Sequence, residues 1–482
     1  MSNTNSWNDA SPKPGGNRIP RRVKLAYGLG GAVQNGGFDT AIGFTFFYYS
    51  AVLGLSGTLV GLALAVALVF DALVDPFIGA WSDNLKSRLG RRLPPMIVAV
   101  PLVAVSMGLL FSPPQGLDEP ALFVWLTVMT VAARVAMSLF NVPFLTLGAE
   151  LETDYSARTN LVMYRVITGL VVSVTITAVG YSVYFANDGL LKAASYPGFG
   201  WSVAGFLFFS MAFCCLGIKK FAASLPQPEP IMSPMWKRLP GGIVEIFRNR
   251  SFRFLFIAAV LFYGALGVNA SLNSYAFIFV WQMRSETIQF ITYAFLGGTL
   301  LGGMAAPVLQ KRIEKKHLVL VGFSLLIANW LVLQGLQLTD LYLPLGDDAI
   351  IPMQLNSFTA GVGVGFVSVV YPSMMADAAD EHEVLFKKRR EGLYFAGLGL
   401  ANNAGRSMGV MIAGVALDII RFPRAAEGED LSQVSEGMQS QLVLIWGPLP
   451  AIVAVSSMLV FGFYRITRER HREISIALGR QS

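Results

Sequence analysis

Residues 59–84 read LVGLALAVALVFDALVDPFIGAWSDN, and this stretch says most about the fold. Its first part, 59–70, is apolar throughout, as in a helix that crosses a lipid bilayer. Asp71 and Asp75 follow, four residues apart, so that both carboxylates share one helix face. A carboxylate at membrane depth costs several kcal/mol unless it has a partner. The stretch therefore predicts a functional site inside a membrane-spanning helix.

The composition of the whole chain also indicates a membrane protein. The mean hydropathy is +0.55. Of the 482 residues, 54% are apolar and 14% are charged, whereas soluble domains carry about 25% charged residues. Apolar stretches of about 20 residues recur along the chain, and each is long enough to span a bilayer. These features predict an all-α membrane protein with twelve transmembrane helices in two pseudo-symmetric six-helix bundles.

The apolar stretches define the expected organisation of the chain. The predicted helices cover 23–52, 56–84, 93–112, 119–151, 158–187, 199–222, 252–283, 286–310, 315–338, 348–378, 389–421 and 440–467. The expected domains are an N-terminal tail 1–22, a six-helix bundle 23–222, a linker 223–251 rich in proline and charge, a second bundle 252–467 and a C-terminal tail 468–482.

The placement of Lys and Arg predicts the orientation. They cluster in alternate loops and in both tails, and the intervening loops are mostly acidic. Since basic loops stay on the cytoplasmic side, both tails should be cytoplasmic in a multi-pass protein of the cell (inner) membrane. The net charge of +7 is explained by these loops, so nucleic acid is not an expected partner. The expected partners are the lipid bilayer, a small-molecule substrate and a monovalent cation, and the protein is expected to be a monomer.

The two halves of the chain contain similar segments at corresponding positions. NVPFLTLGAELETD at 141–154 is followed by Arg158, and VYPSMMADAADEHE at 370–383 is followed by Arg389 and Arg390. Each segment places a proline in a membrane helix, then carboxylates at the helix exit, then arginine. Internal symmetry of this kind is the plan of large transporter folds, whose binding site lies near the midplane between the halves.

Asp71 and Asp75 are the strongest candidates for a coupling-ion site. Asp71 lies roughly 22 Å into its helix at 1.5 Å per residue, near mid-membrane. Two adjacent carboxylates cannot both ionise cheaply there, so either one keeps a proton or a cation lies between them. The alternative is an ion pair, to Arg134 or Arg165, that only joins helices.

Other polar side chains at similar depth are candidates for substrate contact. Asp39 could serve the substrate, a proton or the structure. Amides suit hydroxyl-rich or zwitterionic ligands because they offer donors and acceptors together; the alternative is interhelical hydrogen bonding, worth about 0.6 kcal/mol each. The amides are Gln34, Asn35, Asn141, Asn402 and Asn403. The arginines at this depth, each in need of a counter-charge that the substrate could provide, are Arg134, Arg165 and Arg406.

Two charged clusters predict a gate on the cytoplasmic side. In the turn after helix 2, Asp83 can bond arginines such as Arg88 and Arg91 and form a latch between states; the alternative is a simple positive-inside anchor. At the end of helix 10, three carboxylates are expected to pair with two arginines that open the next helices. The five residues are Asp377, Asp380, Glu383, Arg158 and Arg389.

The sequence gives no sign of an enzyme. It contains no phosphate-binding GK[ST] loop, no nucleophile elbow and no cofactor fingerprint, and its three histidines lack ligand spacing. Neither a cofactor nor a structural metal is expected; the coupling ion is expected to be H⁺ or Na⁺.

Several motifs together point to a known family. The chain carries YGLGG at 27–31, DALVDP at 71–76, RLGRRLPP at 88–95, NVPF at 141–144 and MADAADEHE at 375–383. From about residue 23 to 465 it resembles the glycoside–pentoside–hexuronide:cation symporters, the melibiose-permease branch of the major facilitator superfamily. The resemblance implies the major facilitator fold.

The resemblance also implies roles for individual residues. Asp71 and Asp75, helped by Ser138 on helix 4, match the positions that bind Na⁺, Li⁺ or H⁺ in the family. Sodium-dependent members often carry an amide just before the second aspartate, and Val74 stands there in this chain. That substitution removes one oxygen ligand and favours H⁺.

The substrate side departs from the family pattern. The charged positions that hold melibiose are replaced here by Gln34, Asn35, Asn141 and Asn403, and only Arg165 is kept. The expected function is therefore cation-coupled symport of a glycoside or sugar-like solute other than melibiose, by alternating access. The alternative is cation-coupled transport of a lysolipid or another amphipathic molecule, since the animal sodium–lysophosphatidylcholine symporter resembles this family too. A non-transporting sensor is disfavoured because the aspartate pair is retained.

Overall fold

A computed structural model describes residues 20–151, 155–224, 245–339, 341, 344–388, 390–424 and 434–480, without the side chains of residues 35, 149, 151 and 155–160. All regular secondary structure in these ranges is helical. The prediction of an all-α membrane protein is confirmed.

The first bundle contains six helices, α1 to α6. Helix α1 spans 21–52 and is built from Arg21–Ala32, Val33–Phe38, Asp39–Ile42, Thr45–Phe47 and Tyr48–Val52. The others are α2 (Gly57–Asp83), α3 (Leu93–Leu110), α4 (Glu119–Leu151), α5 (Tyr155–Val179, continued by Gly180–Tyr184) and α6 (Ser195–Ser224).

The second bundle repeats this plan with α7 to α12. They are α7 (Arg250–Tyr275, continued by Ala276–Val280), α8 (Ser285–Leu309), α9 (Lys315–Leu338), α10 (Ile350–Phe386), α11 (Glu391–Ile419) and α12 (Glu436–Trp446 and Pro448–Gly462). A further helix, α13 (Arg468–Ala477), follows in the predicted C-terminal tail.

Ten helices within the described ranges are long and apolar enough to cross a membrane. The two other long elements, α1 and α11, do not meet this criterion of length and hydropathy, and each has a local reason. Wide π-type turns at Val33–Phe38 and Tyr48–Val52 interrupt α1. Helix α11 carries two asparagines and Arg406 in its middle. Both therefore place polar groups or irregular backbone inside the bundle, where neighbouring helices can satisfy them.

Glycines bring the helices of each bundle into close contact. A Cβ added at Gly405 would lie 2.4 Å from the carbonyl oxygen of Val260, and one at Gly409 would lie 2.3 Å from that of Gly264. Helices α7 and α11 thus touch backbone to backbone, as small residues permit in membrane proteins. In α1, a Cβ at Gly36 would lie 2.4 Å from the carbonyl oxygen of Gly169 in α5.

Two helix bounds differ from the sequence-based expectation. Helix α10 was expected to end near residue 378 but continues to Phe386, because its acidic last turns find cationic partners. Helix α12 is broken at Gly447, where a Cβ would lie 2.4 Å from the carbonyl oxygen of Trp330. Pro448 then opens the second segment, since a first helical residue needs no N–H donor.

The bundle has two distinct ends. We call the basic end the one formed by residues 84–92, 310–314, 387, 388 and 390, and the opposite end the one formed by residues 53–56, 187–194, 281–284 and 420–424.

Candidate functional site

The aspartate pair of α2 faces α4. The Ser138 hydroxyl donates to Oδ1 of Asp71 at 2.7 Å, and Nη1 of Arg134 lies 3.9 Å from Oδ2 of Asp71. The side chains of Asp71 and Arg134 are only 13% and 12% exposed. Phe38 of α1 stacks near this group, with its ring centroid 5.9 Å from Cζ of Arg134. The structure thus brings Asp71, Ser138 and Arg134 into one buried cluster.

Asp75 lies one turn further toward the basic end. Its Oδ1 atom is buried and has no hydrogen-bond partner among the described residues. Ser138 and Asp71 are its polar neighbours. Pro76 follows inside the helix, and because proline lacks an N–H, the carbonyl of Ala72 loses its usual helical partner. The oxygen atoms that the structure brings together here are the two carboxylates and the Ser138 hydroxyl.

A cavity of about 440 Å³ lies between the two bundles. This volume is in the range of ~300–1,000 Å³ that small-molecule sites occupy. Its lining is mostly apolar and comes mainly from the second bundle. The charged lining residues are Asp39, Arg134 and Arg406. Arg134 belongs to both features, because it lines the cavity and lies beside Asp71.

Amides and tryptophans form the polar part of the second-bundle wall. Trp446 donates its indole N–H to Oδ1 of Asn273 at 2.8 Å. In the amide orientation that satisfies its surroundings, Asn269 accepts from the indoles of Trp330 and Trp446, each at 3.1 Å. Asn329 and Asn356, on neighbouring helices, each donate to the backbone carbonyl of the other. Sequence reasoning missed all of these residues, although each is a polar or amphipathic side chain within an apolar span.

Among the predicted substrate residues, Asp39 lines this cavity, whereas Gln34, Asn141, Arg165 and Asn403 do not. The stem of Arg165 packs against Gly31, where a Cβ would lie 2.0 Å from Cγ of the arginine. The side-chain oxygen of Gln34 is buried with no partner in the described part of the chain. The side chain of Asn35 lies outside the described residues.

The two bundles are joined at the opposite end. Asp418 of α11 accepts hydrogen bonds from the backbone N–H groups of Gly57 and Thr58 at 3.0 and 2.8 Å, and from the Ser56 hydroxyl at 2.6 Å. A helix N-terminus has unsatisfied N–H groups and a positive dipole end, so a carboxylate caps it well. One bundle therefore caps a helix of the other.

Close packing reinforces this contact. A Cβ at Gly414 would lie 2.0 Å from the carbonyl oxygen of Gly57. Nearby, Ser50 and Tyr275 share a hydrogen bond of 2.5 Å, and the backbone N–H of Asn187 donates to Glu286 at 2.7 Å. These contacts close the cavity toward the opposite end.

At the basic end, the first bundle holds its charges within itself. Asp83 pairs with Arg92, whereas the arginines predicted as its partners were Arg88 and Arg91. Arg91 pairs with Glu150 at 2.5 Å, and Arg92 lies 3.3 Å from the same carboxylate. Arg88 is exposed to solvent.

At the basic end, the carboxylates of the second bundle also pair with cations from their own half of the chain. Lys315 contacts Asp377 at 2.6 Å, and His471 of α13 lies 3.3 Å from Asp377. Arg480, just beyond α13, pairs with Asp380 at 2.6 Å and with Glu383 at 2.7 Å. The predicted partners of these carboxylates, Arg158 and Arg389, have side chains outside the described residues. Within the described ranges, no hydrogen bond or ion pair joins the bundles at this end.

A smaller cluster holds the last part of the predicted linker. Partial desolvation acts to raise the pKa of Glu245, but the charges of Lys388 and Arg390 outweigh it and hold this pKa below its ordinary value. The carboxylate is 3.7 Å from Nζ of Lys388 and 3.3 Å from Nη2 of Arg390.

Two helical bundles around a central cavity, with an acid pair beside it, define a membrane transporter. The sequence profile of the family described as MFS/sugar transport protein matches residues 26–468, and the chain belongs to this family. It is a multi-pass membrane protein that carries a small-molecule substrate, and it is not an enzyme.

Individual relatives that are similar to this chain are also named as symporters or transporters. The chain is 24% identical over 532 residues to the uncharacterized symporter sll1374 of Synechocystis sp., covering 94% of this chain and 95% of the relative. It is 24% identical over 406 residues to the isoprimeverose transporter of Lactiplantibacillus pentosus, covering 83% and 81%. The crystal structure of a bacterial homolog of the lysosomal transporter Spinster superposes with a TM-score of 0.65 at 14% identity, covering 96% of this chain and 98% of that one. The last similarity supports the major facilitator fold.

Proposed function

We propose that this chain is a cation-coupled symporter of a glycoside or sugar-like solute that works by alternating access. Asp71, Asp75 and Ser138 hold the coupling ion, and the solute binds in the cavity between the bundles. The chain acts as a monomer in the inner membrane, with both termini in the cytoplasm, so that the basic end faces the cytoplasm. A relative named for isoprimeverose transport supports a glycoside substrate.

The observation that carries this proposal is the position of Arg134. It lies 3.9 Å from Asp71 and also lines the cavity. When a cation or proton neutralises the acid pair, the attraction between Asp71 and Arg134 weakens, and the guanidinium becomes available to the solute. Ion binding and solute binding are thereby coupled, and by linkage each favours the other.

A proton fits the acid pair better than Na⁺. A proton needs one carboxylate, and the buried Oδ1 of Asp75 lacks a partner among the residues described. Sodium would need several oxygens, and Val74 stands where an amide would supply one. A membrane voltage adds about 2.3 kcal/mol per charge moved across 100 mV, which suffices to drive uptake.

A second candidate is cation-coupled transport of a lysolipid or another amphipathic molecule. The specific observation in its favour is the lining of the cavity, where aromatic and aliphatic side chains outnumber polar ones. It predicts that amphipaths bind more tightly than free sugars and that sugars inhibit weakly.

The test is solute-induced current in proteoliposomes. The panel contains glycosides, pentosides, uronides, lysolipids and steroid-like amphipaths, each with a proton or a Na⁺ gradient. We expect a proton-driven current with a glycoside, and we expect Asp75→Asn to abolish it while solute exchange without a gradient continues. Exchange persists because the variant is fixed in the neutral, proton-loaded form.

Asp347→Asn is the matched control, because Asp347 is an exposed carboxylate that pairs with Arg284 far from the cavity. It should behave like the wild type. Gradient-driven uptake that survives in Asp75→Asn would show that the coupling assignment is wrong. A response only to amphipaths would favour the second candidate.

A further inference from the structure

Arg406 is one of two charged cavity residues, the other being Asp39, that the proposed function leaves unused. It lies about 22 Å from the first residue of α11 at 1.5 Å per residue, near the middle of the helix. A cation at that depth is costly unless it faces a partner or a water-filled cavity. Its side chain is exposed, and the surface to which it is exposed is the cavity between the bundles.

No carboxylate pairs with Arg406 in the part of the chain that the structure describes. It forms no ion pair within 4.0 Å and no hydrogen bond there. Arg134, the other lining arginine, differs because it faces Asp71. The lining carboxylate, Asp39, belongs to the first bundle, so Arg406 is the single ionisable group on the second-bundle part of the lining.

The local packing explains why Arg406 reaches into the cavity. Its neighbour Gly405 presses against Val260 of α7, and the backbone of Arg406 lies 3.1 Å from the Cβ position of Gly267. Close backbone contact on this face leaves no room for a long side chain between α7 and α11. The guanidinium is therefore directed away from that contact, into the space shared with Asn269, Asn273 and the two tryptophans.

We propose that the transported solute carries an oxyanion, a carboxylate or a sulfonate, which binds to Arg406, while the amides and tryptophans of the second bundle contact its hydroxylated body. Guanidinium is the side chain best suited to a planar oxyanion, which it holds by two parallel hydrogen bonds. This inference rests on the proposed transport function and adds the charge of the solute to it.

The experiment uses pairs of probes in which a neutral hydroxymethyl or hydroxyl group replaces the oxyanion. The carboxylate arm compares methyl β-D-glucuronide with methyl β-D-glucoside, and the sulfonate arm compares 3-hydroxypropane-1-sulfonate with propane-1,3-diol. Binding to the purified full-length protein is followed by thermal unfolding and by the fluorescence of the cavity tryptophans. We expect the anionic member of at least one arm to bind and its neutral partner to bind at least tenfold more weakly. Arg406→Gln should weaken anion binding roughly ten- to a hundredfold.

Arg406→Lys keeps the charge and should retain part of the binding, which guards against a variant that merely misfolds. Arg284→Gln removes an exposed arginine at the opposite end and should bind like the wild type. The inference is overturned if neutral probes bind as well as anions, if no anion binds, or if Arg406→Gln keeps the selectivity.

Failure of the proposed function would look different. If anions bind through Arg406 but the binding is indifferent to pH, to Na⁺ and to Asp75→Asn, the cation coupling is wrong and the anion site stands. If binding depends on Asp75 but not on solute charge, the coupling stands and the anion site is wrong.

Discussion

At the opposite end, a carboxylate of one bundle caps a helix of the other, whereas at the basic end carboxylates pair with cations of their own bundle. Asp418 accepts hydrogen bonds from Ser56, Gly57 and Thr58 across the bundle boundary. Asp380, by contrast, is held by Arg480 of the same half. The two ends use the same kinds of side chain for different tasks.

The difference separates contacts that must break during transport from contacts that can persist. Hydrogen bonds between rigid bundles are lost when the bundles rock apart, so they bias the balance between conformations. Pairs inside one bundle move with it and contribute nothing to that balance. Under the proposed alternating access, the contacts at the opposite end therefore favour the state that is closed there, and the basic-end pairs stiffen each half.

The largest effect is expected from Gly414→Leu. The added Cβ would lie 2.0 Å from the carbonyl oxygen of Gly57, a backbone atom that cannot swing aside, so the two bundles must separate there. We expect the opposite end to open and Ser50→Cys, buried at the Tyr275 contact, to react with a maleimide many times faster. The rate is measured in a background where Cys214 and Cys215 are alanine.

Gly399→Leu is the matched control on the same helix, because nothing lies within 4 Å of its Cβ position. It should leave the labelling rate unchanged. Equal rates in the two variants would mean that the Gly57–Gly414 contact does not keep this end closed.

A smaller effect is expected from Asp418→Asn. The amide keeps one accepting oxygen in place of two, and the charge that favours the N-terminus of α2 and pairs with Arg424 at 2.8 Å is lost. Hydrogen bonds to charged groups are worth about 1.5–3 kcal/mol each. We expect faster labelling of Ser50→Cys than in the wild type but slower than in Gly414→Leu.

Asp347→Asn serves as the control, since this carboxylate lies at the same end but pairs with Arg284 of its own bundle. If the two asparagine variants label alike, bonds across the bundle boundary count for no more than bonds within a bundle, and the comparison fails.

The local part of the site could be predicted from the sequence. The i, i+4 spacing places Asp71 and Asp75 on one helix face whatever the tertiary structure, and the family resemblance placed Ser138 opposite them. The structure has the Ser138 hydroxyl 2.7 Å from Asp71. The twelve helices could be predicted for a similar reason, because length and hydropathy are properties of each segment alone.

The cavity wall could not be predicted, because it depends on how the helices are rotated against each other. The sequence around Asn269 and Asn273 does not distinguish an asparagine that lines a cavity from one that only joins helices. The cap by Asp418 joins residues about 360 positions apart and has no local signal at either one. Arg480, the partner of Asp380 and Glu383, comes from the segment predicted as a tail, where the helix α13 forms around the buried Ile474.

The smallest effect is expected from Arg480→Gln. Its pairs with Asp380 and Glu383 are partly exposed and lie inside one bundle, and such pairs are worth about 0–1 kcal/mol. We expect a slight fall in the melting temperature and no change in the labelling of Ser50→Cys. Arg470→Gln, which breaks an exposed pair with Glu473 within α13, is the control. If Arg480→Gln slowed or hastened labelling as much as Asp418→Asn, the carboxylates of α10 would take part in the switch between conformations. That outcome would restore the gate predicted from the sequence, with the chain after α13 competing for the same carboxylates when the basic end closes.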